Sequence, residues 1–247
     1  MIYSLTLTMV GVLAAAVLRG FTGFGFGLAA VPLLSLALPP AEVVPLVVSL
    51  QVVVGLGGLR GALHQCDWGS VRRLVPGQLL GVPLGVAILL LLPPDPVRLL
   101  IGGMIALSVL LLHRGARLPR HPSRLLTAAV GLVAGIISGF ASMGGPPIIV
   151  YLMARGHTPQ RLRATAIVYF FMAGCVTAIP MVVRHLITLQ TLLWTAACLP
   201  VLFGGSWLGT LAFGKAQPRH HRLTALVTLS GLAVLLIGRT LWSMVMG

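Results

Sequence analysis

Long apolar runs fill most of the chain, and short polar segments separate them. The runs cover residues 4–38, 41–59, 74–92, 97–112, 125–153, 164–183, 188–213 and 223–246. A helix that crosses a bilayer needs about 20 largely apolar residues. The pattern therefore predicts an all-α polytopic membrane protein with about eight hydrophobic segments and no soluble domain.

Two of these runs are interrupted by glycine-rich segments at matching places. The first reads Gly-Phe-Thr-Gly-Phe-Gly-Phe-Gly over residues 20–27, and the second, over 139–147, starts 119 residues later and ends in Gly-Gly-Pro-Pro. Glycine and proline remove side chains or N–H donors, and lipid cannot satisfy the backbone groups that a break releases. We expect each broken run to be a hairpin or re-entrant segment. Paired breaks of this kind are typical of transporters built from repeats, with a substrate site near the bilayer midplane.

The two halves of the chain correspond beyond the breaks. Pro40 matches Pro159 at the same offset of 119. At an offset of 124, matches are found between Gly81, Leu84, Gly85, Pro94 and Arg98 and, in the same order, Gly205, Leu208, Gly209, Pro218 and Arg222. This duplication predicts a first transmembrane repeat over 1–112, a basic cytoplasmic linker over 113–124 and a second transmembrane repeat over 125–247.

Composition excludes a soluble protein, and the distribution of charge excludes nucleic-acid binding. The chain is 57% hydrophobic and 8% charged, against roughly 25% charged residues in soluble domains. The net charge of +14 comes from 17 Lys and Arg against three acidic residues. Because the basic residues lie between apolar runs, they are better explained by the enrichment of Lys and Arg in cytoplasmic loops.

The same charges indicate how the repeats are oriented. If every run crosses once, the two faces carry seven and nine basic residues, which is no bias. If each broken run enters and leaves on one face, only Arg98, Arg184 and Arg239 fall on the outer face. The inner face then carries thirteen: Arg60, Arg72, Arg73, Arg114, Arg117, Arg120, Arg124, Arg155, Arg161, Arg163, Lys215, Arg219 and Arg222. The hairpin arrangement is therefore favoured, with two inverted repeats in the cell (plasma or inner) membrane and the basic loops in the cytoplasm.

Metal, cofactor and nucleotide chemistry have no sequence support. Cys66, Cys175 and Cys198 are far apart, and no histidine pair has the HxxxH or HExxH spacing of a metal site. No G-x-x-x-x-G-K-[ST] segment is present, so ATP is not expected to drive the chain directly. We expect no metal and no cofactor.

The paired glycine-rich segments resemble the signature segments of the TauE/SafE family, the sulfite-exporter-like membrane transporters. The resemblance covers the full length and is strongest in residues 19–32 and 138–152. It implies transport of a small, sulfur-containing anion such as sulfite, a sulfonate or a thiosulfate-like ion. It specifies neither the anion nor the direction of transport.

The breaks also predict an anion site from elementary chemistry. The N-terminus of the half-helix after each break presents unpaired N–H groups and the positive end of its dipole. Segments 23–27 and 144–147 would open these half-helices. The candidate substrate-binding residues are Arg19, Gly20, Phe21, Thr22, Gly23, Phe24, Gly25, Gly27, Ser138, Gly139, Phe140, Ser142, Met143, Gly144, Gly145, Pro146 and Pro147. The alternative is that these glycines only allow close helix packing.

A few polar residues within or beside the apolar runs are further candidates. Arg19 either helps to hold an anion or extends its charge to the membrane surface. Gln51 and Gln78 are candidates for lining the pathway. Glu42 is either a proton-coupling carboxylate or, more simply, a solvated loop acid.

The sequence therefore predicts a transporter, not an enzyme, that works by alternating access around a midplane site. The alternatives are a passive anion channel and an intramembrane serine hydrolase, which would use Ser138 or Ser142 with His157 or His185. The expected partners are a small anionic substrate and membrane lipid. A coupling proton or sodium ion and a homo-oligomer stay open.

Overall fold

The computed structural model describes residues 2–22, 25–114, 122–213, 230–231 and 233–242, and it is α-helical throughout these ranges. The helices are α1 (Ile2–Thr22), α2 (Phe26–Ser35), α3 (Pro40–Leu63), α4 (Trp68–Leu91), α5 (Pro94–Arg114), α6 (Arg124–Ala141), α7 (Gly145–Ala154), α8 (Pro159–Val183), α9 (Leu189–Phe213) and α10 (Ala233–Trp242). Within this part of the chain, α3, α4, α6, α8 and α9 are long and apolar enough to cross a membrane. The prediction of an all-α polytopic membrane protein is confirmed.

Several helices extend beyond the apolar runs that predicted them. The fourth helix begins at Trp68 rather than near residue 74, and α8 begins at Pro159 rather than near 164. Polar caps set such starts: the Thr158 side chain accepts a hydrogen bond from the Arg161 N–H. Arginine is also a good helix former. Hydropathy marks the part of a helix that suits lipid, not its ends.

The most extensive helix contact joins α4 and α6 along a seam of glycines. A Cβ at Gly81 would collide with the Leu132 carbonyl, and one at Gly135 would lie 2.7 Å from the Gln78 carbonyl. The seam comprises Gly77, Gly81 and Gly85 of α4 and Gly131, Gly135 and Gly139 of α6. Small residues at every fourth position allow two helix backbones to approach closely. Residue numbers increase in the same direction along both helices at these contacts, so α4 and α6 run parallel.

A second parallel pair, α1 with α9, is the counterpart of this seam. Gly20 of α1 packs on the backbone of Ser206 and Gly209, and Gly205 of α9 packs on Leu13 and Ala16. The predicted duplication would relate the two pairs, since the sequence offsets of 119 and 124 relate α1 to α6 and α4 to α9. The seams therefore join each half to the other half.

The third contact between the halves, α3 with α8, is antiparallel. Gly58 of α3 lies beside Ile167, whereas Val52, earlier in α3, lies beside Gly174, later in α8. Together with the two seams, this pair interlocks the halves. They do not form two separate bundles.

The glycine-rich segments separate a long helix from a short one in each half. The first helix ends at Thr22 and α2 begins at Phe26; α6 ends at Ala141 and α7 begins at Gly145. Both short helices have 10 residues, or about 15 Å, roughly half the hydrocarbon thickness. The contact of Gly11 with Leu34 shows that α2 folds back along α1.

The two ends of the bundle differ in charge. One end, called here the basic end, contains the α3–α4 and α7–α8 connections and the start of α6; the opposite end contains the α2–α3, α4–α5 and α8–α9 connections. The described arginines near the basic end are Arg60, Arg72, Arg73, Arg124, Arg155, Arg161 and Arg163. Arg98 and Arg184 lie at the opposite end.

Candidate functional site

The two breaks meet inside the bundle. Gly27, in the first turn of α2, lies so close to the Ser142 carbonyl that a Cβ at Gly27 would collide with that oxygen. Ser142 ends α6 in the left-handed region, with φ 53°, and turns the chain towards α7. Because this conformation costs a non-glycine residue about 1–2 kcal/mol, the surrounding packing must hold it. The contact brings residues 115 positions apart in the sequence together.

Gln51 of α3 stabilises the junction, as we call the contact between Gly27 and Ser142. Its Nε2 donates a hydrogen bond of 3.1 Å to the Ser142 carbonyl, and the same nitrogen lies against Gly27. Residue 51 is at the middle of α3, so the junction lies at mid-depth in the bundle. The sequence selected Gln51 as a candidate pathway residue, and the structure places it between the two breaks.

The two short helices offer different numbers of backbone donors. The first-turn N–H groups of α2, on Phe26, Gly27 and Leu28, have no partner within the helix. In α7, Pro146 and Pro147 occupy the first turn and carry no N–H. An anion at the junction therefore meets more backbone donors from the first half than from the second.

The second break packs tightly against α6. A Cβ at Gly144 would collide with Ser138 Oγ and the Ala134 carbonyl. Phe140 and Met143 are buried in the hydrophobic core. These contacts put the Ser138 hydroxyl beside the start of α7.

Other predicted site residues have different surroundings. Gly20 and Gly139 lie in the two helix seams, where the lack of a side chain permits close approach. Gly25 precedes α2 with φ 83°, a conformation that favours glycine. Gly145 begins α7 beside Phe170.

The remaining first-half residues are described only in part. Arg19 is half-buried in the last turn of α1, and no ion pair between described residues includes it. Gly23 and Phe24 lie outside the described residues, and so do the side chains of Phe21 and Thr22.

Gln78 of α4 forms a second buried polar contact. Its side chain is fully buried, and its Oε1 accepts a hydrogen bond of 2.8 Å from the Tyr169 hydroxyl. Tyr169 in turn packs edge-on against Phe170, with ring centroids 5.8 Å apart. The sequence singled out Gln78 but neither Tyr169 nor the buried Tyr151, because a tyrosine in an apolar run has no distinguishing pattern.

Charged residues surround Asp67 at the basic end. They are not among the substrate-binding residues that the sequence predicted. The carboxylate Oδ2 accepts a hydrogen bond of 2.6 Å from Ser70 and lies 2.8 Å from His157 Nε2. The Asp67 backbone N–H donates to Thr165 Oγ1 at 2.9 Å. We call Asp67, His157, Arg155 and Arg161 the Asp67 cluster. It links the α3–α4 connection to the second half.

The cluster is strongly positive around one carboxylate. Guanidinium nitrogens of Arg155 and Arg161 each lie 3.9 Å from an Asp67 oxygen. Burial alone would raise the pKa of the Asp67 carboxyl, but hydrogen bonds from Ser70 and His157 and the charge of His157 outweigh it, so that the pKa is lowered. Asp67 is thus ionised at neutral pH.

The other two acids have simpler surroundings. Glu42 is exposed at the start of α3, as the solvated-acid interpretation expects. Asp95 pairs with Arg98 at 2.7 Å at the opposite end, where Arg98 also donates to the Ser35 carbonyl. Asp67 is therefore the buried acid among the three in the chain.

The geometry does not assemble a serine hydrolase. Ser142 and His157 are separated by the whole of α7, about 15 Å of helix, and His157 pairs with Asp67 instead. His185 lies at the opposite end of the bundle. Within the described ranges, no group of three or more His, Cys, Asp or Glu residues could hold a metal ion.

Comparisons with known proteins agree over nearly the whole chain. The family profile described as "Sulfite exporter TauE/SafE" matches residues 7–236. A curated protein of Cupriavidus necator, named "Probable sulfite/organosulfonate exporter TauE", is 26% identical over 225 residues, which cover 87% of each chain. No solved structure matches.

Proposed function

Because the chain belongs to the sulfite exporter TauE/SafE family of membrane transporters, we propose that it carries a small sulfur oxyanion across the cell membrane by alternating access. The proposed substrates are sulfite and organosulfonates, the compounds that appear in the name of the C. necator relative. The supporting observation is the junction at which Gly27, Ser142 and Gln51 bring the two breaks together.

The junction suits an oxyanion on chemical grounds. The first-turn N–H groups of α2, which have no partner within that helix, and the dipole of that helix favour negative charge. Gly27 lets the chain approach without an intervening side chain. Arg19, in the last turn of α1, brings a positive charge to the helix that precedes the first break. A hydrogen bond to a charged group contributes about 1.5–3 kcal/mol.

The helix directions support an inverted repeat. Helix α1 runs parallel to α9, and the short α8–α9 connection makes α9 antiparallel to α8. Because α8 is also antiparallel to α3, α1 and α3 run in the same direction. Helix α4 returns from α3, and α6 is parallel to α4. The corresponding helices α1 and α6 thus point in opposite directions. Residues 1–112 and 125–247 are the two repeats, joined by the basic linker 113–124.

This arrangement gives the transporter an orientation and a moving part. The basic end faces the cytoplasm because short-loop Lys and Arg are retained there. The broken segments α1–α2 and α6–α7 are re-entrant hairpins, and the repeats rock around their junction. The Asp67 cluster joins the halves at the basic end, so it must open when the site becomes accessible from the cytoplasm.

Anion-dependent thermal stabilisation of the purified protein tests the proposal. A ligand that binds the folded state at 100 times its Kd stabilises it by about 2.7 kcal/mol. Sulfite or methanesulfonate should raise the Tm of the parent protein, and acetate should raise it less. Gly27→Ala, which puts a Cβ against the Ser142 carbonyl, should lose the response. Gly57→Ala in α3, where a Cβ meets no atom within 4 Å, is the matched control.

Transport in proteoliposomes separates a carrier from a channel. A carrier saturates with substrate and shows counterflow of labelled sulfite, whereas a passive channel does neither. The absence of stabilisation by any sulfur oxyanion, with no uptake of the same ions, would contradict the proposal.

A further inference from the structure

The Gln78 amide carries a hydrogen-bond donor that no described residue satisfies. Tyr169 occupies Oε1, while Nε2 is buried and has no partner in the described part of the chain. An unpaired buried donor of this kind is costly, and native proteins satisfy most of them with protein, water or a ligand. The amide therefore requires an acceptor that the described residues do not supply.

A second unpaired polar atom lies in the same region. The hydroxyl of Tyr151, on α7, is buried and also lacks a partner within the described residues. Tyr151 and Tyr169 belong to one buried cluster, formed mainly by α7, α8 and the first half of α4. Two of the buried side-chain atoms without a partner among the described residues thus belong to this region; the others are Ser35 Oγ, Arg155 Nε and Ser206 Oγ.

Gln78 lies at the depth of the second break. Its backbone packs against Gly135 of α6, and the preceding residue, Ala134, has its carbonyl against Gly144. A second chain of contacts leads from Gln78 through Tyr169 to Phe170, whose ring lies beside Gly145 at the start of α7. Both routes connect the amide to the residues that open α7.

This is the side of the junction that has fewer backbone donors. Pro146 and Pro147 remove two N–H groups from the first turn of α7, whereas the first turn of α2 keeps three. A sulfur oxyanion has acceptor oxygens on several sides, so those that face the second half need another donor. The position corresponding to Gln78 at the offset of 124 is Leu202, and no second amide repeats it.

We infer that Gln78 is a substrate-binding residue whose Nε2 donates a hydrogen bond to an oxygen of the transported sulfite or sulfonate, and that Tyr169 is the positioning residue that holds the amide. This rests on the proposed function. The Tyr169 hydroxyl donates to Oε1 and so turns the NH2 group away from itself. An NH2 group in this orientation selects ligands that accept hydrogen bonds.

The test is anion affinity, taken as the sulfite or methanesulfonate concentration that gives half of the maximal rise in Tm. Gln78→Leu should raise this concentration about tenfold or more, since a hydrogen bond to a charged group is lost. Gln78→Met keeps nearly the size of the side chain but carries no hydrogen-bond donor, and it should weaken binding to a similar extent. Gln190→Leu, an exposed glutamine in the first turn of α9, should bind like the parent.

A double-mutant cycle tests the role of Tyr169. Tyr169→Phe should weaken binding in the parent but have little further effect in the Gln78→Leu background, because the hydroxyl acts through the amide. A structural role of Tyr169 would lower the Tm without anion equally in both backgrounds and leave the affinity unchanged.

Two results would overturn the inference and are distinguishable from each other. If the parent responds to sulfite and Gln78→Leu responds at the same concentrations, the amide is satisfied by water and the proposed function stands. If no sulfur oxyanion stabilises the parent, the proposed function fails and the inference fails with it. Should Gln78→Leu not fold, Gln78→Met decides, and unchanged affinity in that variant contradicts the role.

Discussion

His157 Nε2 lies 2.8 Å from Oδ2 of Asp67, and this pair joins the two halves of the chain at the basic end. The carboxylate belongs to the α3–α4 connection and the imidazole to the α7–α8 connection. Under the proposed rocking of the halves about a central site, this contact would hold the entrance at the basic end closed. Its strength therefore affects both stability and the balance between conformations.

Replacement of the carboxylate should destabilise the protein in a pH-dependent way. Asp67→Asn leaves Arg155 without its counter-charge and removes the carboxylate that His157 contacts, and it should lower the free energy of unfolding by about 3 kcal/mol at pH 7. The lowered pKa of Asp67 means that its ionised form stabilises the fold fully above the ordinary value of 3.8. This contribution disappears as the pH falls through the lower folded-state pKa.

Thermal unfolding of parent and Asp67→Asn between pH 7 and pH 3 measures this effect. The difference in Tm should be constant at the upper end and shrink below about pH 4. Glu42→Gln, at an exposed acid, is the control and should change Tm little. If the difference in Tm between the parent and Asp67→Asn grew as the pH fell, the predicted direction of the pH dependence would be wrong.

The glycine seam between α4 and α6 should tolerate no added side chain. Gly81→Ala places a methyl group against the Leu132 carbonyl, and Gly135→Ala places one near the Gln78 carbonyl. Each should destabilise the fold by about 1–3 kcal/mol, as over-packing does. Gly103→Ala, with no atom within 4 Å of the new Cβ, should be neutral or slightly stabilising. Equal Tm values for all three variants would show that the helices separate at no cost.

Loss of the Gln51 amide should uncouple the two breaks. Gln51→Leu removes the hydrogen bond to the Ser142 carbonyl, which leaves that oxygen unsatisfied and the left-handed turn less well held. Sulfite affinity should fall about tenfold or more, beyond any fall in Tm without ligand. The comparison is with Gln65→Leu, in the exposed α3–α4 connection. Parent-like affinity in Gln51→Leu would show that the junction is not part of the site.

Arg19 should contribute its charge to anion binding. Arg19→Gln is expected to weaken sulfite binding much more than Arg184→Gln, which changes an exposed arginine at the opposite end of the bundle. Arg19→Lys should restore part of the affinity, because it keeps the charge but not the planar guanidinium. Titration of the thermal shift with sulfite measures all three, and unchanged affinity in Arg19→Gln would assign the residue to the membrane surface.

The orientation of the repeats can be tested by labelling. In a variant without Cys66, Cys175 and Cys198, single cysteines are placed at Gln65 and Gln160 near the basic end and at Gln190 at the opposite end. An impermeant thiol reagent added to whole cells should label position 190 and leave 65 and 160 unlabelled until the membrane is permeabilised. Outside labelling of 65 together with protection of 190 would reverse the proposed sidedness.

The sequence by itself determined the class of the fold and the two places where long apolar runs are interrupted. Long apolar runs force an all-helical chain, because a backbone in lipid must satisfy its own hydrogen bonds. Local chemistry accounts for the interruptions: Gly25 adopts a conformation that favours glycine, and the double proline suits a first helical turn. These features depend on residues that are neighbours in the chain.

Only the tertiary structure decided which polar groups meet. Gln51 and Ser142, Gln78 and Tyr169, and Asp67 and His157 are each 90 or 91 residues apart in the sequence. A soluble helix reveals its buried side by a stripe of apolar residues, but a helix in lipid is apolar on both its lipid-facing and its inward-facing sides. The hydropathy pattern therefore does not indicate which way Gln78 or Tyr169 points. The glycine seams fix the rotation and register of the helices, and that packing brings the distant polar groups together.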